Sequence, residues 1–222
     1  MKNASVIIVA GGSGKRMGRP KQMLPINGKP VLERSIEAFL KIPQVGQIVV
    51  VTGEDIFKKI SKHYKNLTHA LAGETRLQSV INGVNALNPK FELVAVHDGA
   101  RPLVSPKDIK AGLASAAINK AAVLAVPVKD TIKKVSGGKI TETLDRSVLY
   151  AAQTPQCYRA EILKKALNKY SDLKDATDES QLVEKLGVKV AVVVSDYKNI
   201  KITTPEDIII AEALCKKEQK RK

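Results

Sequence analysis

The chain has 222 residues, 44% of them hydrophobic, which is enough to bury a sizeable core, and a single α/β domain over residues 1–222 is the expected organisation. A formal net charge of +15 invites a nucleic-acid partner, yet part of it sits in the tail Lys216-Lys-Glu-Gln-Lys-Arg-Lys222, which reads as a fraying terminus, and aromatics at 4% with no tryptophan leave few stacking platforms. Small anionic substrates explain the excess better. Cys157 and Cys215 lack metal or disulfide spacing, the N-terminus is no signal peptide, and no run approaches the ~18 apolar residues of a membrane span, so neither membrane nor oxidising compartment is expected and the cytoplasm is.

Short Val- and Ile-rich runs alternate with helical patterns, the signature of a mostly parallel sheet covered by helices on both faces. The first strand, residues 6–10, empties into "AGGSGKRMGRPK", from Ala10 to Lys21. A P-loop fails there because Val9 stands where its first glycine belongs and Arg16 replaces the metal-binding hydroxyl. A dinucleotide fingerprint fails because Met17 occupies its last glycine position. What remains is a strand end opening into a flexible loop, Ala10, Gly11, Gly12, Ser13 and Gly14, that brings backbone donors close to a ligand, with Arg16 and Lys21 available to several negative charges. A polyphosphate is the natural guest.

Further strands are expected at 47–52, 93–97, 122–127 and 189–195, and helices at 31–41, 55–64, 75–87, 106–119, 160–170, 179–186 and 205–216. The last helix starts well, with Thr204 as N-cap, Pro205 in its first turn and acidic residues following. Residues 129–144 alternate, turn at Gly137-Gly138 and alternate again, as an exposed hairpin does; a two-stranded ribbon is marginal alone, so it is expected to pack on something, a second subunit being one choice. Gln153-Thr-Pro-Gln156 reads as polar residues at a strand border, and Asn199 to Pro205 as a short strand with Lys201 opposite two isoleucines.

The strand ending at His97 runs into Asp98-Gly-Ala-Arg101, and loops at the carboxyl edge of an open α/β sheet are where ligands bind. Asp98 either holds Mg²⁺ against phosphate oxygens or caps the next turn, and Arg101 either meets an anionic substrate or is a surface cation. His97 suits a packing role better than that of a base. Gly73 permits close backbone approach, and Arg76 and Ser79 fall on the first turns of the following helix.

Taken together, "VAGGSGKRMGRPKQMLPINGKPVLERSI", "AGETRLQSVINGV", "HDGARP", "PVKDTIK", "LDRSVLYAAQTPQ", "ATDES" and "NIKITTPED" resemble, in order and over nearly the whole chain, the 2-C-methyl-D-erythritol 4-phosphate cytidylyltransferases of the non-mevalonate isoprenoid pathway. The first motif alone is shared by many nucleotidyltransferases; the combination is specific. The resemblance implies a Rossmann-like nucleotidyltransferase fold with a protruding hairpin arm at about 129–150, a homodimer whose arms cross, and Mg²⁺ dependence. It implies transfer of CMP from CTP to 2-C-methyl-D-erythritol 4-phosphate, with release of pyrophosphate.

By the same resemblance Arg16 and Lys21 steady the transition state, and Arg146 and Lys201 position the sugar phosphate. Asp98 matches the metal-linked aspartate, Arg101 and Thr131 the acceptor contacts, and Gly73, Arg76 and Ser79 the segment around the cytidine; Thr131 and Arg146 would serve the partner's site if the arm crosses. Lys198 departs from the family, where an acidic residue is common, which bears on contacts to the acceptor hydroxyls. The nearest rival is ribitol 5-phosphate cytidylyltransferase, which shares the first loop, "TPQ" and "NIKITTP"; "HDGARP", "DTIK" and "LDRS" favour methylerythritol phosphate. A basic nucleic-acid binder would need the tail, and a silent nucleotide sensor would have no use for Arg146 and Lys201.

Overall fold

The computed structural model describes residues 2–12, 20–172 and 177–219. Of the expected ligand contacts, Ser13, Gly14 and Arg16 lie outside the described residues, as does the end of the basic tail.

Eleven strands are described: β1 (Ala4–Val9), β2 (Pro25–Ile26), β3 (Lys29–Pro30), β4 (Val45–Thr52), β5 (Leu67–Leu71), β6 (Leu93–Asp98), β7 (Ala121–Pro127), β8 (Lys133–Ser136), β9 (Lys139–Thr143), β10 (Tyr150–Arg159) and β11 (Ala191–Val194). The helices are α1 (Val31–Leu40), α2 (Glu54–Ile60), α3 (Arg76–Asn85), α4 (Pro106–Asn119), α5 (Ala160–Tyr170), α6 (Glu179–Lys185) and α7 (Pro205–Gln219). Seven strands form the main sheet in the order β11-β7-β10-β6-β1-β4-β5, parallel except for β10, which runs antiparallel to both β6 and β7. Among the described residues no helix is long and apolar enough to cross a membrane.

Alternation along the strands builds the two faces. Val6 and Ile8 of β1 pack with Leu32, Ile36 and Phe39 of α1 and Ile109 and Leu113 of α4. Ile7 points the other way, toward Val80 and Val84 of α3, while Leu163 and Leu167 of α5 and Leu182 of α6 cover the same face. A third cluster, with Leu24, Ile26, Val31, Ala100 and Ile202, seats α7 through Ala211 and Cys215.

The chain order sets the position of the crevice. After β1 the chain moves outward through β4 and β5, then returns to the other side of β1 with β6, so the strand order reverses between β1 and β6. That is where an open α/β sheet leaves a gap at its carboxyl edge. Val9 pairs with Asp98 in register, so the glycine loop and Asp98 leave the sheet side by side.

Three expectations are corrected. β10 was legible only as a polar border, whereas Gln153, Thr154 and Gln156 lie in mid-strand and are buried. These polar residues hide the strand because their hydrogen bonds are made inside the protein, which alternation alone does not reveal. Residues 199–205 form no strand: Asn199 and Ile200 donate backwards to Asp196 and Lys198 in a turn, and Ile202 makes a single backbone bond to Ala100 O (2.8 Å). Finally, α2 stops at Ile60 instead of Tyr64, and α7 continues to Gln219.

The arm emerges as expected. β8 and β9 pair across Gly137 and Gly138, both at positive φ (56° and 75°), and all their residues are exposed. Its base is anchored by Tyr197, which donates to Pro127 O (2.6 Å) while its ring receives the Lys129 ammonium at 3.5 Å.

Gly83 lets α3 lie close on the sheet, because a Cβ there would sit 2.5 Å from Ile7 Cγ2 and 3.0 Å from Val51 Cγ2. Alanine would gain about 1 kcal/mol of helix propensity. Both neighbours are fully buried strand side chains, so the clash should prevail. Gly83→Ala is expected to destabilise the protein by about 1–3 kcal/mol in urea unfolding; a neutral or stabilised variant would show that α3 can lift off the sheet.

Candidate active site

The crevice at the switch point has a volume of about 380 Å³ and is lined by the Ala10–Gly12 loop, Lys21, Gln22, the 73–76 turn, Ser79, Asp98 and Lys201. Asp98 is its electrostatic centre, only 7% exposed. Lys201 Nζ stands 2.6 Å from Oδ2, Arg76 Nε 3.3 Å from Oδ1 and Arg101 Nε 3.9 Å from Oδ2. Burial would push the Asp98 carboxyl up, but the charges of Arg76 and Lys201, the hydrogen bond from Lys201 and the charge of Arg101 outweigh it and hold the group well below the usual carboxylate range. Asp98 is therefore not a turn cap, and Arg101 is not a surface cation: its guanidinium also donates to Asn199 O (2.6 Å).

Each cation reaches Asp98 from a different element. Arg76 begins α3, whose N-cap Thr75 accepts from Gln78 N (3.0 Å). Gly73 N donates to Ser79 Oγ, which donates to Thr75 O (both 3.0 Å), so Ser79 folds the glycine turn onto the helix start. The positive end of α3 thereby borders the crevice. Lys201 comes from the irregular segment before α7, stitched to β10 by Asn199 Nδ2, which donates to Gln153 Oε1 and Thr154 O (both 2.9 Å).

Two contributors carried no clear sequence signal. Glu179, fully buried at the start of α6, forms a close ion pair with Arg76. Burial raises its carboxyl pKa against the opposing pull of Arg76. Asp178 caps α6 by accepting from Gln181 N (3.2 Å) and also accepts from Gln156 Nε2 (2.8 Å), which sets Glu179 beside Arg76. Gln22 is the second: it lies buried behind the first loop and bonds its backbone. Neither a lone glutamate nor a lone glutamine announces burial; both stand inside the quoted motifs, which by themselves give neither a role.

The arm residues stand apart. Thr131 and Arg146 are exposed and do not line this crevice, and Arg146 Nη1 donates to Lys129 O (2.6 Å). Lys198, the departure from the family pattern, lies 3.8 Å from Asp196 Oδ2.

His97 is a packing residue. Its ring meets Phe39 edge-on at 4.9 Å. A carbonyl only accepts, so Nε2 carries the proton and donates to Arg101 O (3.1 Å). Nδ1 then accepts from Thr154 Oγ1 (3.1 Å), which itself accepts from Asp98 N (3.0 Å). Burial lowers the imidazole pKa to about 4, so the folded chain keeps it neutral while the unfolded chain takes up a proton near ~6.5. Between those values the unfolded state binds more protons, and stability falls as pH falls. His97→Gln offers the same acceptor and donor without titrating. Measured by urea unfolding without nucleotide or divalent cation, it is expected to flatten the stability slope between about pH 6.5 and about 4.5, by up to about 1.4 kcal/mol per pH unit. An unchanged slope would mean that His97 is charged in the fold.

Comparison with known proteins adds an independent line. The family model described as IspD, 2-C-methyl-D-erythritol 4-phosphate cytidylyltransferase, matches residues 4–217. A protein of that name from Endomicrobium trichonymphae is 45% identical over 220 residues, covering 97% of this chain and 100% of the relative. The chloroplastic protein of that name from Oryza sativa subsp. japonica is 41% identical, covering 96% of this chain and 74% of the relative. Among solved structures, the 4-diphosphocytidyl-2C-methyl-D-erythritol synthase of Anaerococcus prevotii superposes with a TM-score of 0.86 at 34% identity, covering 97% of this chain and 99% of the other. The 2-C-methyl-D-erythritol 4-phosphate cytidylyltransferase of Thermus thermophilus gives 0.81 at 30%, covering 97% and 100%. Matched in sequence and backbone over nearly all its length, the chain belongs to the 2-C-methyl-D-erythritol 4-phosphate cytidylyltransferase family.

Proposed function

We propose that the crevice transfers CMP from CTP to 2-C-methyl-D-erythritol 4-phosphate, giving 4-CDP-2-C-methyl-D-erythritol and pyrophosphate, as a soluble step of isoprenoid precursor synthesis in the cytoplasm. Family membership supports the substrates and the reaction, and none of the relatives above is a ribitol 5-phosphate enzyme. The observation that carries the reading is the surplus of cations: Arg76, Arg101, Lys201 and Lys21 gather beside a glycine loop against the buried carboxylates Asp98 and Glu179 and the exposed Glu74.

The chemistry asks for little beyond this. An oxygen of the acceptor's phosphate attacks the α-phosphorus of CTP in line with the bond to the β-phosphate. A P–O bond forms to the acceptor, the α–β bridge breaks, and its electron pair leaves with pyrophosphate. A phosphate monoester with a second pKa near ~6 is largely dianionic at neutral pH, so no strong base is required, in keeping with a neutral, hydrogen-bonded His97. The barrier is repulsion between two anions and migration of charge to the leaving group, and cations aimed at that charge lower it. In this reading Arg16 and Lys21 take the triphosphate, Lys201 and Arg146 the acceptor phosphate, Arg101 and Thr131 the rest of the acceptor, and Gly73, Arg76 and Ser79 the cytidine side.

A magnesium ion fits this donor set. Asp98 is an ionised carboxylate whose partners Arg76, Arg101 and Lys201 could pair with phosphate oxygens in its place, and among the described residues there is no group of three or more His, Cys, Asp or Glu forming an all-protein cage. Mg²⁺ is commonly held by one or two carboxylates together with substrate phosphates and water. Asp98 would hold it, and its chemistry there would be neutralisation of the triphosphate.

The arm supports a homodimer. Val135, Ile140 and Val148 are 57%, 63% and 72% exposed, an apolar load that a solvated ribbon has no reason to carry. With Arg146 and Thr131 outside the crevice of their own chain, an arm laid across a partner would supply both to the partner's site.

Pyrophosphate release with Mg²⁺ and CTP is expected with methylerythritol 4-phosphate and not with ribitol 5-phosphate or without an acceptor; release with ribitol 5-phosphate alone would overturn the acceptor. Arg16→Ala, Lys21→Ala and Lys201→Ala should each lower turnover on the order of 10²-fold or more. Mixing inactive Arg146→Ala and Lys201→Ala subunits should restore about a quarter of wild-type activity, because each heterodimer then contains one intact shared site. No recovery, in subunits shown to exchange, would confine both residues to one chain's site.

A further inference from the structure

Gln22 sits in a single helical turn, Lys21–Met23, 2% exposed, and lines the crevice from behind the first loop. Its Nε2 donates to Ala10 O (2.6 Å) and to Gly12 O (2.5 Å). Carbonyl oxygens only accept, so these two bonds fix the orientation of the amide. Thr52 Oγ1 adds a second donor to Ala10 O (3.2 Å), and Ala10 N is tied to Val51 O (2.8 Å). On its other side the loop is pressed against β5's exit: a Cβ on Gly11 would lie 2.2 Å from Ala72 Cβ.

The arrangement is costly for packing alone. Oε1 of Gln22 is buried without a hydrogen-bond partner among the described residues, and an unpaired buried acceptor is destabilising. A methionine would fill the same volume without that cost. What methionine cannot do is occupy two carbonyl oxygens at once. In a loop bordering a polyanion site, each untethered carbonyl is a partial negative charge able to turn toward the ligand, and peptide planarity makes each N–H follow its carbonyl.

We infer that Gln22 is a positioning residue for nucleotide binding: its amide holds the Ala10 and Gly12 carbonyls in one fixed orientation, setting the loop's dipoles for a triphosphate before the ligand arrives. It acts through the backbone and takes no part in bond making. This rests on the crevice being the CTP site. It separates Gln22 from Lys21, its neighbour in sequence, whose proposed role is through charge.

The test is CTP titration with Mg²⁺, together with steady-state kinetics for both substrates, on wild type, Gln22→Met and Gln22→His. Gln22→Met should weaken CTP binding and raise KM for CTP by about tenfold, leaving KM for methylerythritol 4-phosphate within about twofold and the melting temperature within a few degrees. Gln22→His, whose single N–H can hold one of the two carbonyls, should recover part of that loss. CTP binding by Gln22→Met within about twofold of wild type, or equal losses for both substrates in both variants, would overturn the inference. If Gln22→Met does not fold, the split between substrates is read on Gln22→His; failure of both to fold would make Gln22 a structural residue and reject the role. A wild-type protein that binds no CTP would overturn the nucleotide reading itself, a result distinct from any of these.

Discussion

An ionised carboxylate inside the protein is the constraint around which the crevice is arranged. Asp98 leaves water at the end of β6, and a buried carboxylate stays charged only with opposite charges close by. Arg76, Lys201 and Arg101 supply them from α3, from the segment before α7 and from the turn after β6. Glu179 in turn secures Arg76. Holding Asp98 therefore fixes the mutual positions of elements far apart in sequence, and the same cations make the surroundings of the crevice attractive to phosphates.

The fold places this cluster where the chain reverses its strand order. Parallel strands carry their carboxyl ends to one edge, so the first loop, the Gly73 turn and Asp98 converge without any of them being adjacent in sequence. The one antiparallel strand of the main sheet, β10, adds a second layer of control. Thr154, in mid-β10, links the Asp98 amide to a neutral His97, and Gln153 and Thr154 receive Asn199, which steadies the segment carrying Lys201. Polar residues buried in a central strand here act as the scaffold of the charged ones.

Much of this was legible in the chain as written. Val- and Ile-rich runs at spacings that leave room for helices imply a parallel sheet, because only strands buried on both faces read as nearly continuous apolar runs. The glycines after β1 and the pair at Gly137-Gly138 marked a loop and a hairpin turn for reasons of backbone sterics alone. Less legible were β10, whose Gln153, Thr154 and Gln156 look exposed until their partners are known, and the 199–205 segment, whose alternation mimics a strand although its hydrogen bonds go to a turn and to Ala100. Gln22 and Glu179 were silent for the same reason: their significance is burial and a partner, and neither is a property of local sequence.

By itself the sequence determined the helices, most strands of the main sheet, the hairpin and, through seven motifs in order, the family, because periodicity, glycine placement and motif spacing are written along one dimension. Only the tertiary structure decided which charges meet. Asp98 as a turn cap and Asp98 beneath three cations share one sequence, and so do His97 as a base and His97 as a neutral packing residue. The difference lies in distance and desolvation. A Coulomb contact of a few ångströms between residues 22 to 103 positions apart exists only once the sheet has closed, and the loss of water that gives such a contact its strength is a property of the folded whole.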